Sequence, residues 1–133
     1  MGKNTIKMDK IIVKTEKAPK PIGPYSQAVW HGNTLYLSGQ IALNPLSDSL
    51  VVENIEDETT QVMENIKGIL TSQGLDFTNI IKTSIFLINI DDFNQVNTVY
   101  GKYFSTGFPA RETIQVAKLP KNVNIEISVI AAK

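Results

Sequence analysis

One stretch limits the folds open to this chain more than any other. Ile80–Ile90 is rich in β-branched residues and apolar on both sides: Ile81, Thr83, Ile85 and Leu87 on one, Phe86 and Ile88 on the other. Successive side chains of a strand point to opposite faces, so a strand with two apolar faces belongs in a sheet that is covered twice. Helix signals flank it. Glu56–Gln73 carries Val62, Ile66, Ile69 and Leu70 on one stripe, acids at its start and Gly74 as its stop, the pattern of an amphipathic helix. After the strand, Asp91 or Asp92 opens a second helix, to about Ser105, with Phe93, Val96, Tyr100 and Phe104 on one side.

The remaining segments supply strands. Lys10–Lys14 reads as a short one, and the prolines of Ala18-Pro19-Lys20-Pro21-Ile22-Gly23-Pro24 then impose a stiff, extended path. Ala28–Trp30 and Leu35–Ser38 form a hairpin around His31-Gly32-Asn33-Thr34, and Asn44–Asp48 is a loop. At the far end, Arg111–Lys118 and Val123–Ala132 predict a closing hairpin. With Lys118 opposite Val123, Glu126 falls opposite Gln115. Ile114 and Val116 then share a face with Ile125, Ile127 and Val129, while Arg111, Thr113 and Gln115 share the other with Glu126 and Ser128. A slip of one residue would mix the two sets.

The order β, ββ, α, β, α, ββ predicts an α+β domain, a single mixed β-sheet with two helices on one face. No third layer is left for the second face, so identical subunits are expected to cover it. The expected cleft then holds an arginine and a glutamate on rigid backbone. An arginine can hold a carboxylate in two parallel hydrogen bonds. A partly desolvated glutamate can give and take a proton, although a nearby arginine pulls its pKa the other way. A solvated sheet face is the plain alternative for the same alternation.

Composition narrows the chemistry. The 133 residues suit one domain over residues 10–133, with residues 1–9 expected to be a disordered or extra polar segment in which Met8 offers an alternative start. Thirteen basic and thirteen acidic residues cancel, which argues against a nucleic-acid partner. The apolar run Ile85–Ile88 is far too short to span a bilayer, and the polar first residues lack a signal core, so a cytoplasmic location is expected. There is no cysteine, hence no thiol nucleophile or thiolate metal site. The one histidine, His31, lies in a turn and cannot build the usual zinc site or a Ser–His–Asp centre. No metal and no cofactor is expected. An enzyme of this composition would use a carboxylate, a tyrosine or a lysine as its acid or base.

Other candidates each have a structural alternative. Tyr25 follows the rigid proline segment and could instead pack its ring on the sheet. Ser38 and Gly39 end a strand, where glycine lets a ligand approach the backbone or simply makes a turn. Asn97 falls on or beside an apolar stripe, where a buried amide needs partners from a ligand or a neighbouring loop. Phe108-Pro109-Ala110 presents Arg111 from a stiff approach.

Four blocks together carry a family pattern: Ile22-Gly23-Pro24-Tyr25-Ser26-Gln27-Ala28, Leu37-Ser38-Gly39-Gln40-Ile41, the run from Asn65 through Phe104, and Phe108-Pro109-Ala110-Arg111 through Leu119-Pro120-Lys121 to Ile125-Glu126. With them the chain closely resembles the reactive intermediate deaminases, the RidA or YjgF-type enamine/imine deaminases, from about Lys10 to Lys133. The resemblance implies a chorismate-mutase-like subunit and a homotrimer with sites between subunits. It implies cofactor-free hydrolysis of 2-imino or 2-enamino acids, such as 2-aminoacrylate, to 2-oxo acids and ammonia, the 2-iminobutanoate/2-iminopropanoate deaminase type of reaction. Arg111 would clamp the substrate carboxylate, Glu126 would activate water and shuttle a proton, and Tyr25, Ser38, Gly39 and Asn97 would complete the pocket. Many members carry cysteine two residues after the arginine; here it is Thr113, which can offer its backbone carbonyl but no thiol. Two other functions stay open on sequence: ribonuclease or translation inhibition, attributed to some members, and a non-catalytic module that binds small carboxylates or partner proteins.

Overall fold

The computed structural model describes residues 9–133, so the extra segment expected over residues 1–9 lies, but for Asp9, outside the described residues. The predicted element order is observed: β1 (Lys10–Val13), β2 (Ala28–His31), β3 (Thr34–Gln40), α1 (Ile55–Ser72), β4 (Ile80–Leu87), α2 (Phe93–Gly101), β5 (Ala110–Gln115) and β6 (Ile125–Ala132). The Asn54 side chain caps α1 by accepting from the Asp57 N–H at 2.8 Å, and Glu56, Asp57 and Glu58 sit at the helix's positive end. Helix α2 stops at Gly101, short of the expected Ser105. The Tyr103 and Phe104 N–H groups turn there to carbonyls three residues back, the tighter geometry that ends many helices.

The strands form one six-stranded mixed sheet ordered β1-β2-β3-β6-β4-β5, with β4 and β5 parallel and the other neighbours antiparallel. Both helices lie on one face. Val62, Met63 and Ile66 of α1 and Val96 and Tyr100 of α2 join Leu35, Leu37, Ile85, Leu87, Ile125 and Ile127 in one core. Each such large apolar side chain contributes about 1.5–3 kcal/mol when fully buried.

The predicted C-terminal hairpin does not form, because β4 lies between β5 and β6. Two features explain this. Helix α2 crosses back over the sheet and delivers β5 parallel to β4, as strand–helix–strand units do. Glu58, wholly buried in α1, accepts from the Asn124 N–H and Asn124 Nδ2, both at 2.7 Å, and from the Ile125 N–H at 3.2 Å. That anchor fixes the start of β6 under α1, on the other side of β4 from β5. Residues 116–124 make the crossing through a turn in which Lys121 and Asn122 take φ of 57° and 56°.

The faces change accordingly. Arg111 pairs with Thr83 and Thr113 with Ile85, so both share the helix-covered face; Glu126 and Ile114 pair with Phe86 and share the open one. A register slip between Ile80 and Lys82 also turns Ile81 outward, 53% exposed, while Ile80 enters the core. The open face is partly covered by the chain itself. Ile41, Leu43, Leu119 and Val123 form a second small core against which Phe86, Ile88 and Val116 pack, which accounts for the two apolar sides of β4 at this end. Ile12, Tyr36 and Ile114 remain about half exposed. Among the described residues, no helix is long and apolar enough to cross a membrane.

Candidate active site

Two pockets hold the residues singled out from sequence, except Thr113, which lines neither. The first surrounds Glu126. A register shift in β3 between Leu37 and Gln40 lifts Ser38 and Gly39 out of regular pairing with β6. The Ser38 Oγ–H donates to the Ser26 carbonyl at 2.5 Å and the Ser38 N–H to the Gln27 carbonyl at 3.0 Å, which draws the proline segment over the strand. Gly39 lies so close to Glu126 that a Cβ there would overlap the carboxyl group. The Tyr25 hydroxyl accepts from the Ile22 N–H at 3.2 Å, leaving the tyrosine 48% exposed. These groups, with Ile22, Ile41 and Pro120, line a pocket of ≈ 330 Å³. Burial pushes the Glu126 carboxyl above its ordinary pKa.

Gln27 holds this region in place. Its Nε2 donates to the carbonyls of Thr15 at 2.9 Å, Ala18 at 3.2 Å and Pro19 at 2.9 Å, and its Oε1 accepts from the Thr15 N–H at 2.7 Å. This buried amide ties down the segment leading to Tyr25. Its signal in the sequence was slight: a glutamine next to apolar Ala28, at the mouth of a strand. A larger cavity of ≈ 470 Å³ runs along β1 and the proline segment, and Tyr25 is the wall it shares with the Glu126 pocket.

The second pocket surrounds Arg111. Helix α2 turns Phe93, Asn97 and Tyr100 toward the edge of the sheet. Arg111 Nη2 donates to Asn97 Oδ1 at 2.7 Å, and the guanidinium carbon lies 5.5 Å from the Phe93 ring centre and 4.9 Å from that of Tyr100. Cation–π contact of this kind favours the charged group over the ring. Asn97, Tyr100, Gly101, Phe108, Pro109 and Arg111 line a pocket of ≈ 360 Å³. The Asn97 amide thus finds its partner in a candidate side chain. Burial raises the Tyr100 hydroxyl above its usual pKa, opposed by its bond to Thr83 and by the Arg111 charge. Thr113 faces the same side as Arg111, and its Oγ1 is buried without a hydrogen-bond partner among the described residues.

The structure therefore brings Tyr25, Ser38, Gly39 and Glu126 together, and Arg111 and Asn97 together, but not the two groups with each other. The expectation that Arg111 and Glu126 share a face within one chain is corrected. Their partners on β4, Thr83 and Phe86, are three residues apart, and an odd offset on a strand means opposite faces. One pocket can grip an anion. The other offers a carboxyl group tuned toward proton exchange, with serine and tyrosine hydroxyls beside it.

Fold and pockets describe an α+β domain with an arginine-centred pocket on one side of its sheet and a glutamate-centred pocket on the other. The family model described as Endoribonuclease L-PSP matches residues 15–133. Human 2-iminobutanoate/2-iminopropanoate deaminase is 48% identical over 120 residues, which cover 90% of this chain and 88% of that one. Among solved structures, the Rid-family protein YyfA of Yersinia pestis superposes with a TM-score of 0.92 at 46% identity, covering 94% of this chain and all of the other. Escherichia coli TdcF, solved with bound serine, superposes with a TM-score of 0.89 at 36% identity, covering 92% of this chain and 98% of its own. The chain belongs to the RidA/YjgF family of reactive intermediate deaminases.

Proposed function

We propose that this protein hydrolyses small 2-imino and 2-enamino acids to 2-oxo acids and ammonia, at sites completed between identical subunits of a cytoplasmic homotrimer. The observation that carries this is the presence of a pre-held arginine and a half-buried glutamate, its pKa raised by desolvation, in a chain 48% identical to a human imine deaminase. Because Arg111 and Glu126 face opposite sides of one sheet, the Arg111 pocket of one copy must meet the Glu126 pocket of the next. The half-exposed open face around Tyr36, Ile114 and Ile12 is the surface the neighbour would cover.

In that cleft Arg111 takes the substrate carboxylate, with Asn97 fixing its fork. Glu126, as the carboxylate, takes a proton from water as the water oxygen bonds to C2 of the protonated imine and the C=N pair moves to nitrogen, giving a neutral carbinolamine. The carbinolamine collapses when Glu126 returns that proton to nitrogen and takes up the hydroxyl proton: the C–N bond breaks, the C–O bond becomes the ketone C=O, and ammonia leaves with the proton that Glu126 finally releases, as ammonium. A positioned acid–base group of this kind contributes about 10²–10⁴ in rate. Tyr25, Ser38 and Gly39 shape the wall around the reacting carbon, and Thr113 offers its backbone carbonyl.

The test generates 2-aminoacrylate in situ and follows pyruvate and ammonia. Release faster than the uncatalysed rate supports the assignment; an unchanged rate removes it. The family model's description raises RNA cleavage as a second activity. With zero net charge and its single histidine not in the expected turn but exposed at the end of β2, the chain offers RNA little to bind; a steep salt dependence of RNA binding would favour that activity.

A further inference from the structure

Thr83 closes a ring of contacts around Arg111. In the β4–β5 register it lies opposite Arg111. Its hydroxyl meets the Tyr100 hydroxyl at 2.9 Å, and the Tyr100 ring lies 4.9 Å from the guanidinium carbon. One β4 residue therefore controls both ends of the arginine: its backbone through strand pairing, its charged head through Tyr100. Thr83 is 1% and Tyr100 4% exposed, so this hydroxyl pair is a built part of the interior.

We propose that Tyr100 and Thr83 are positioning residues, their hydroxyl–hydroxyl bond holding the aromatic seat on which Arg111 is pre-set for a substrate carboxylate. This role rests on the assignment of Arg111 as the carboxylate grip. An arginine has several rotatable bonds, and ordering them at the moment of binding costs affinity. Here that order exists beforehand. Asn97 takes one N–H, the Phe93 and Tyr100 rings lie 5.5 and 4.9 Å from the guanidinium carbon, and the guanidinium has further N–H groups to offer a ligand. Without the hydroxyl bond the Tyr100 ring is tied to the sheet by packing alone, and the seat loosens.

Tyr100→Phe, Thr83→Val and the double variant test this, with 2-oxobutanoate as the probe in calorimetry. Each single variant strands one buried hydroxyl; the double removes both and leaves none unpaired, so it stays folded where a single variant does not. Each folded variant is expected to bind about five- to tenfold more weakly, with KM raised by a similar factor and kcat within about twofold of the parent. The double variant should be no weaker than either single, since all three break one bond. In an Arg111→Ala background, Tyr100→Phe should change affinity no further. Parental affinity in the double variant overturns the proposal. So does an equal loss with Arg111 already removed, or a parent protein that does not bind the oxo acid. A parent that binds the oxo acid but hydrolyses no imine removes the deaminase assignment, while the positioning role still stands or falls on the binding data.

Discussion

Arg111 and Glu126 show what residue-level physics asks of this protein. The guanidinium is already stacked and hydrogen-bonded, so truncating it removes a prepared grip. Arg111→Ala is expected to lower kcat/KM for 2-aminoacrylate by about a hundredfold, from a loss of about 3 kcal/mol; kinetics equal to the parent's would take away the arginine's role. Glu126 carries a different signature. Burial raises its pKa in the folded chain above the ordinary 4.5. A carboxyl group raised in this way contributes stability that is complete below the unfolded value and lost as pH rises through the folded one. A melting series across the acid range should show that loss in the parent, and Glu126→Gln should lack it. The activity profile of the assembled protein should likewise carry a glutamate titration that Glu126→Gln abolishes. An arginine supplied by a neighbour would pull that titration back down, so the melting series is best taken on dissociated protein. These residue types were legible in the sequence, because arginine and glutamate in an alternating polar set already suggest anion binding and proton transfer. Asn97 was legible as a candidate as well, but its bond to Arg111 and the approach of the Phe93 and Tyr100 rings were not, because these residues reach Arg111 only through a helix crossing.

At the scale of elements, stripes are local and read true, whereas strand neighbours and the end of α2 are not local. The helices fall where Val62, Ile66, Ile69 and Leu70, and then Val96 and Tyr100, repeat along one side. The closing hairpin failed because adjacency in sequence is a weak rule against a buried anchor. Three hydrogen bonds to Glu58 hold the start of β6 away from β5, and nothing in the local pattern of Arg111–Lys118 announces them. One misplaced strand then moved Arg111 to the other face. Element packing also reverses an ordinary preference within α1. Alanine normally beats glycine inside a helix by about 1 kcal/mol, yet a Cβ at Gly68 would overlap the Lys17 carbonyl oxygen, which is backbone and cannot step aside. Gly68→Ala is therefore expected to destabilise the fold by about 1–3 kcal/mol, read as a lower urea midpoint. An unchanged or higher midpoint would mean that residues 15–19 yield freely.

For the whole molecule the decisive feature is that one chain puts Arg111 and Glu126 on opposite faces of its sheet, so the proposed site needs a second copy. The sequence argued for a covered second face from the two apolar sides of β4. Part of that cover proved to be the chain's own Ile41, Leu43, Leu119 and Val123, a small core built by loops whose fold no periodicity reveals. What stays open runs past Glu126, and the arginine that would serve it lies behind the sheet. The most direct measurement co-expresses Arg111→Ala with Glu126→Gln and compares imine hydrolysis by the mixture with that by each variant alone. If every site takes its arginine from one copy and its glutamate from the next, random mixing in a closed ring leaves about a quarter of the sites intact, and activity should return to about that fraction of the parent's. A mixed assembly, verified by native mass, that is no more active than the average of the two variants would contradict the account.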